Sequence, residues 1–364
     1  MQATRCLRPL FLLFAIASSA TTIALPAQDP QGGGTFGNRV LKETTFAGWT
    51  SPAAYPPLVN FGGGLTGFNV SSTCGNVAPG MQVTCAPPAG ATAGRVLLSS
   101  ATWNPATDCA DCPVTEVCFQ VDHINGVTGA PGQLVRPAIV QGGTLFVAAP
   151  LPAFSAVWAT LAFPAAAATA FLDVTGANAL GLTLGSLNPD FGCSGTPLSF
   201  GFVVTVSSVV ATTRTHCYDN FKVVLKCPAS FTTFCAGCPN CGVLPPAIGY
   251  TGGLPTVPNP TFKITESGAC PSVPTFLILG MSDSTSGMGA LPLNLGFLGY
   301  PACNLCVSPD AIVGAFTTAF GTAFVPLPIP NDEYLLGARF YAQWIDFGPP
   351  PIGMSNAAKI VIGS

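Results

Sequence analysis

Glycine and proline recur so densely along this chain that helices of ordinary length have almost nowhere to form. Of 364 residues, 41 are Gly and 36 are Pro, and they interrupt every apolar run beyond the N-terminal segment. Each Pro removes a backbone donor, and each Gly carries conformational freedom that a helix would have to freeze. Between them stand short stretches of β-branched, aromatic and small residues, many of them alternating. That is the pattern of strands bounded by turns. No stretch after the N-terminus approaches the ~18 uninterrupted apolar residues of a membrane-spanning helix. The length exceeds a comfortable single core, so two domains are expected.

The N-terminal segment reads as a signal peptide. Arg5 and Arg8 form a basic start, Pro9 to Ala17 a short apolar core, and Leu25-Pro26-Ala27 a small-residue ending. This order predicts cleavage after Ala27, with Ala20 as the alternative position, and no membrane insertion of the mature chain. Cysteine usage agrees. Of 15 cysteines, Cys6 falls in the removed segment, which leaves 14. An even number in an exported chain predicts a disulfide framework. The candidates are Cys74, Cys85, Cys109, Cys112, Cys118, Cys193, Cys217, Cys227, Cys235, Cys238, Cys241, Cys270, Cys303 and Cys306. Several stand in C-x-x-C pairs. Two such knuckles can build a tetrahedral zinc site and one can form a redox dithiol. The oxidising compartment and the Pro/Gly-rich loop settings favour structural disulfides instead. Cys217 and Cys227 flank one predicted strand, ~33 Å apart if extended, so each needs another partner.

The expected organisation is a signal peptide at 1–27, a disordered Gly-rich lead-in at 28–37, and a jelly-roll-like β-sandwich at 38–227. A Cys/Pro/Gly-rich linker follows at 228–260, then a C-terminal β-sandwich at 261–364. The predicted fold class is all-β: two antiparallel β-sandwiches, disulfide-stapled. One helical turn is expected at Asn331 to Leu336, capped by Asn331.

Two sets of residues carry a resemblance. Ser308-Pro309-Asp310, Pro328-Ile329-Pro330-Asn331, Leu335-Leu336-Gly337, Phe340-Tyr341-Ala342-Gln343-Trp344 and Lys359-Ile360-Val361-Ile362-Gly363 resemble a C-terminal module of secreted bacterial proteins from planctomycetes and myxobacteria. In the first domain, Pro189-Asp190-Phe191, Gly201-Phe202 and Tyr218-Asp219-Asn220-Phe221-Lys222-Val223 resemble the closing strands of a jelly-roll module in the same kind of protein. That module is similar in outline to carbohydrate-binding jelly rolls. The resemblance implies export and a β fold, and carries no catalytic residue across. No cofactor is expected; jelly rolls of the resembling kind often hold a structural calcium ion, and for that alternative Asp190 and Asp219 are the first ligand candidates, with Asp108, Asp111 and Asn220 beside them, all of them equally ordinary turn residues.

Alternation along Glu116 to His123 places Glu116, Gln120 and Asp122 on one strand face. Carboxylates and an amide on an open sheet face can hydrogen-bond a sugar. Glu116 and Asp122 stand ~20 Å apart if extended, too far for a glycosidase pair. Among the four tryptophans Trp103, beside Asn104, is the best candidate for an aromatic stacking platform, against burial in the core, the commoner state of tryptophan. The two histidines, His123 and His216, complete no triad, because His123 and the adjacent Asp122 point to opposite faces. No nucleophile elbow is present. Charged residues make up 7% of the chain and none cluster as a basic patch, which argues against nucleic acid. The expectation is an exported, non-enzymatic binding or surface protein with glycan as ligand, in the periplasm, at the cell surface or in the medium. A purely structural or adhesive envelope protein with protein partners is the first alternative. A secreted hydrolase is the second.

Overall fold

The structure is a computed structural model that describes residues 39–43, 49, 65–71, 74–75, 80–86, 89–109, 112–125, 133–153, 155–178, 181–208, 213–242, 244–348 and 351–364. The expected signal peptide and lead-in lie outside the described residues. Two compact units emerge, Asn38–Pro228 and Ala229–Ser364. Both are built from antiparallel strands.

The first unit contains β1 (Val40–Glu43), β2 (Leu65–Ser71), β3 (Gly80–Cys85), β4 (Ala91–Trp103), β5 (Glu116–Asn125), β6 (Gln133–Gln141), β7 (Thr144–Val147), β8 (Leu151–Pro152), β9 (Ala159–Ala162), β10 (Leu172–Asn178), β11 (Gly181–Leu184), β12 (Leu198–Ser208) and β13 (Arg214–Lys226). One sheet runs β2-β3-β13-β5-β9, with β1 also on β13. The other runs β11-β10-β7-β6-β12-β4, with β8 on β6. Neighbours distant in sequence, such as β13 beside β5 and β12 beside β4, give the jelly-roll-like wrap.

Alternation explains the layers. Val117, Phe119 and Val121 of β5 face inward with Tyr218, Phe221, Val223 and Leu225 of β13. Opposite them stand Leu97, Ile139, Phe200, Phe202 and Val204. The run Phe202-Val203-Val204 does not alternate because its sheet is buried on both faces: Val203 joins Val96, Leu98, Ala138, Leu145 and Val147 in a second cluster. Gly201 sits where β12 shifts register against β4. A Cβ there would lie 2.0 Å from the Leu97 carbonyl oxygen, so only glycine permits that approach.

The second unit contains β14 (Ser230–Phe234), β15 (Ala247–Thr251), β16 (Lys263–Ser267), β17 (Pro274–Gly280), β18 (Thr285–Ser286), β19 (Gly289–Ala290), β20 (Leu293–Leu295), β21 (Tyr300–Leu305), β22 (Ala311–Phe316), β23 (Ala323–Pro326), β24 (Arg339–Asp346) and β25 (Gly353–Val361). A five-stranded sheet, β14-β25-β24-β17-β22, faces a three-stranded sheet, β15-β16-β23. Ile248, Ile264 and Val325 pack against Leu277, Leu279, Trp344, Ala358 and Ile360. The other face of the larger sheet is covered by cysteine-bearing segments, with Ile278, Tyr341, Met354 and Ala357 under Cys238, Cys303, Cys306 and Val307.

Two expectations need correction here. The segment 228–260 is not a linker throughout: β14 pairs with β25 and β15 pairs with β16, so both strands belong to the second sandwich. Its Pro, Gly and Cys content masked the short apolar pattern. The turn near Asn331 is a 3-10 turn at Glu333–Leu335 capped by Asp332, whose Oδ1 accepts from the Tyr334 amide at 3.0 Å.

Six disulfides are present among the described residues. The first unit holds Cys74–Cys217, Cys109–Cys193 and Cys112–Cys227. The second holds Cys235–Cys306, Cys238–Cys303 and Cys241–Cys270. No C-x-x-C pair closes on itself. Cys217 and Cys227 take separate partners, as their separation along β13 requires. Cys118 is not among the six pairs, and the side chain of Cys85 lies outside the described residues.

Candidate functional site

The outer face of the six-stranded sheet of the first unit gathers most of the residues read as ligand-binding. Along β5, Glu116, Cys118 and Gln120 are half-buried while Val117, Phe119 and Val121 fill the core. The predicted alternation therefore holds. Register then supplies what the strand alone does not show. Gln120 pairs with Lys222 and Glu116 pairs with Lys226 on β13, and Lys222 pairs in turn with Lys42 on β1. Residues in register share a face. One row thus reads Lys42, Lys222, Gln120, and a second reads Lys226, Glu116. Strands lie about 5 Å apart, and Glu116 and Gln120 stand about 13 Å apart along β5.

Asp122 has a different role. It is buried, and its Oδ1 accepts from Thr160 Oγ1 at 2.5 Å while its Oδ2 accepts from Asn220 Nδ2 at 2.9 Å. Asn220 reaches it from a bulge in β13 with a left-handed backbone, φ 49°. Asp122 is therefore an anchor beneath the rim and not an open ligand contact.

Trp103 is not a surface platform. As the last residue of β4 it is fully buried. The Arg39 guanidinium lies over its ring at 5.6 Å and donates to the carbonyl oxygens of Asp108 at 3.2 Å and Cys112 at 2.5 Å. Burial lowers the Arg39 pKa to about 10. The residue after Trp103 caps a short helix, α1 (Pro105–Asp108), with Asn104 Oδ1 accepting from the Ala106 amide. That loop-like signature hid the burial of its neighbour.

The calcium candidates serve local backbone. Asp190 Oδ1 accepts from the Gly192 amide at 2.7 Å, and Asp219 Oδ1 accepts from the Asn220 amide at 2.7 Å. Asp108 accepts from the Asn104 amide at 2.8 Å. Asp111 lies outside the described residues. Among the described residues no three His, Cys, Asp or Glu side chains converge in a way that would hold a metal ion. Both histidines are buried. His123 Nδ1 lies 3.0 Å from the Ala159 carbonyl oxygen, and burial lowers its pKa below the usual imidazole value.

No family model matches the chain, and no curated protein matches it. Solved structures do resemble it. The family 11 carbohydrate-binding module of a cellulosomal cellulase of Clostridium thermocellum is 13% identical, with a TM-score of 0.29 over 49% of this chain and 95% of the module. A β-1,2-glucanase from Parabacteroides distasonis is 10% identical, with a TM-score of 0.25 over 90% of this chain and 37% of the enzyme. An exo-β-agarase is 10% identical, with a TM-score of 0.29 over 51% of this chain and 25% of that one. Superpositions at this level transfer no residue roles.

Sequence reasoning missed Lys222 and Lys226 as cross-strand partners, because pairing register is a long-range property. It also missed two buried acids in the second unit, Glu266 and Asp346. Inward placement of Glu266 is legible in β16, where it stands two residues after the core residue Ile264 and so shares its face.

Proposed function

We propose that this is an exported, non-catalytic glycan-binding protein whose ligand lies across the outer face of β13 and β5. The observation that carries the reading is the pair of polar rows, Lys42–Lys222–Gln120 and Lys226–Glu116. Ammonium and amide groups donate to sugar oxygens, and the carboxylate and amide oxygens accept from sugar hydroxyls. A single sugar ring cannot touch both Glu116 and Gln120 at about 13 Å, so the ligand class is an oligosaccharide or polysaccharide. Two of the three disulfides in this unit hold β13 near both ends, through Cys217 and Cys227, which supports a preorganised face. The six disulfides support an oxidising compartment outside the cytoplasm. Among the described residues no helix is long and apolar enough to cross a membrane.

A glycan-array screen of the mature chain tests the reading. Binding to a set of related polysaccharide fragments supports it. No retention on any glycan, with the disulfides intact, overturns it.

A structural or adhesive role in the envelope is the second reading. It is favoured by β22, an edge strand of the second unit on which Ile312 and Phe316 stand 60% and 74% exposed. Exposed apolar edges invite partners. Co-fractionation with the envelope that is lost on Phe316→Ser, with glycan binding absent, would select this reading.

A further inference from the structure

The second unit holds a pair of acids in its core, and among the described residues no cation neutralises them. Glu266 is 1% exposed and Asp346 is fully buried. They face each other from the two sheets of the sandwich, at the edge of the cluster built on Ile264, Leu277 and Trp344. Each lies within hydrogen-bonding reach of the other. Thr275 Oγ1 lies 2.9 Å from Glu266 Oε2, and Asn240 Nδ2 lies 3.4 Å from Asp346 Oδ2. Glu266 Oε1 and Asp346 Oδ1 have no other hydrogen-bond partner.

Among the described residues the surrounding elements supply no positive charge. Glu266 is flanked by Ile248 on β15 and Ala323 on β23. Thr275 is flanked by Ala315 on β22 and by Asp346 itself. Asp346 is flanked on β25 by Gly353. The nearby cations stand elsewhere: Lys263 lies over the Phe324 ring at 4.7 Å, Arg339 is at the far end of β24, and Lys359 is in register with Tyr341, five residues along β24 from Asp346. Two ionised carboxylates here would each be desolvated and would repel each other.

We propose that Glu266 and Asp346 hold one proton between them at neutral pH, and that losing this proton in alkaline solution loosens the second sandwich. The proton bridges the facing carboxyl oxygens, so the pair acts as one titrating unit. Burial pushes the Glu266 carboxyl up to about 9 from its usual 4.5, with Asp346 adding to the rise. Burial also raises Asp346. The folded pair therefore binds its proton more tightly than the unfolded chain does. Stability from it is complete in acid and falls as pH climbs through the folded value.

Amide hydrogen exchange on the full oxidised chain tests this, read as protection factors for 263–280 and 339–361 in metal-free buffer. For one retained proton, the opening constant rises up to about tenfold per pH unit between about pH 5 and 9. Glu266→Gln, which keeps a donor toward Asp346, flattens that slope. Infrared difference spectra of wild type against this variant show a protonated carboxyl above pH 7. Asp346→Asn is the second variant and flattens the slope in the same way. Flat wild-type protection across the range overturns the proposal. So does added calcium raising protection in wild type but not in Glu266→Gln, because the pair would then be a cation site.

Discussion

Cys112 is bonded to Cys227, 115 residues away, and not to Cys109, its C-x-x-C neighbour. Cys109 is bonded to Cys193. The two bonds tie the loop after α1 to the end of β13 and to the turn before β12. Arg39 completes the clasp by donating to carbonyl oxygens on the same loop. Mass mapping of the oxidised chain is expected to recover these two cross-links and no Cys109–Cys112 peptide. Cys112→Ser with Cys227→Ser is expected to cost about 4 kcal/mol, because a loop of this length is released in the unfolded chain. Urea denaturation at equal disulfide content elsewhere checks the size of the loss.

Asp122 and Gln120 share a strand face but are expected to fail differently. Asp122→Ala removes a buried carboxylate that accepts charge-assisted hydrogen bonds from the exposed Thr160 hydroxyl and the half-buried Asn220 amide. The expected cost is about 1–3 kcal/mol. Gln120→Ala removes a half-buried side chain from the open row, with an expected change within about 0.5 kcal/mol. Denaturation midpoints of the two variants separate the buried anchor from the proposed ligand face.

The two units are expected to respond to pH with opposite signs. His123 is buried and its pKa is lowered, so the folded first unit binds this proton less tightly than the unfolded chain. Its contribution is present above about pH 6.5, the unfolded value, and is lost as pH falls through the lowered one. The Glu266–Asp346 pair in the second unit behaves the other way. Protection at 116–125 is expected to fall in acid, and protection at 263–280 to fall in alkali. His123→Gln is expected to remove the acid sensitivity of the first segment only.

Much of this fold is legible from local pattern. The alternation of Val117, Phe119 and Val121 against Glu116, Cys118 and Gln120 places one set in the core and the other outside, because side chains on a strand point to opposite faces. The distance across β13 correctly keeps Cys217 and Cys227 apart. What was not legible depends on contacts distant in sequence. Strand spacing does not say that Lys222 lands beside Gln120, or that Cys235 and Cys238 meet Cys306 and Cys303. Dense Pro, Gly and Cys content hid β14 and β15, whose apolar residues number two or three apiece. Trp103 reads as a platform candidate because Asn104, which caps α1, resembles an open loop, while burial of the tryptophan, its commoner state, is decided by the opposing sheet.

Binding by the polar rows of β13 and β5 is the centre of the account. The most direct measurement is titration of the oligosaccharide best retained on the array against wild type and the double variant Gln120→Ala/Lys222→Ala, with denaturation midpoints recorded in parallel. The account predicts at least about a tenfold weaker affinity in the double variant, near 1.4 kcal/mol, at an unchanged midpoint. Undiminished affinity in a folded double variant would contradict it.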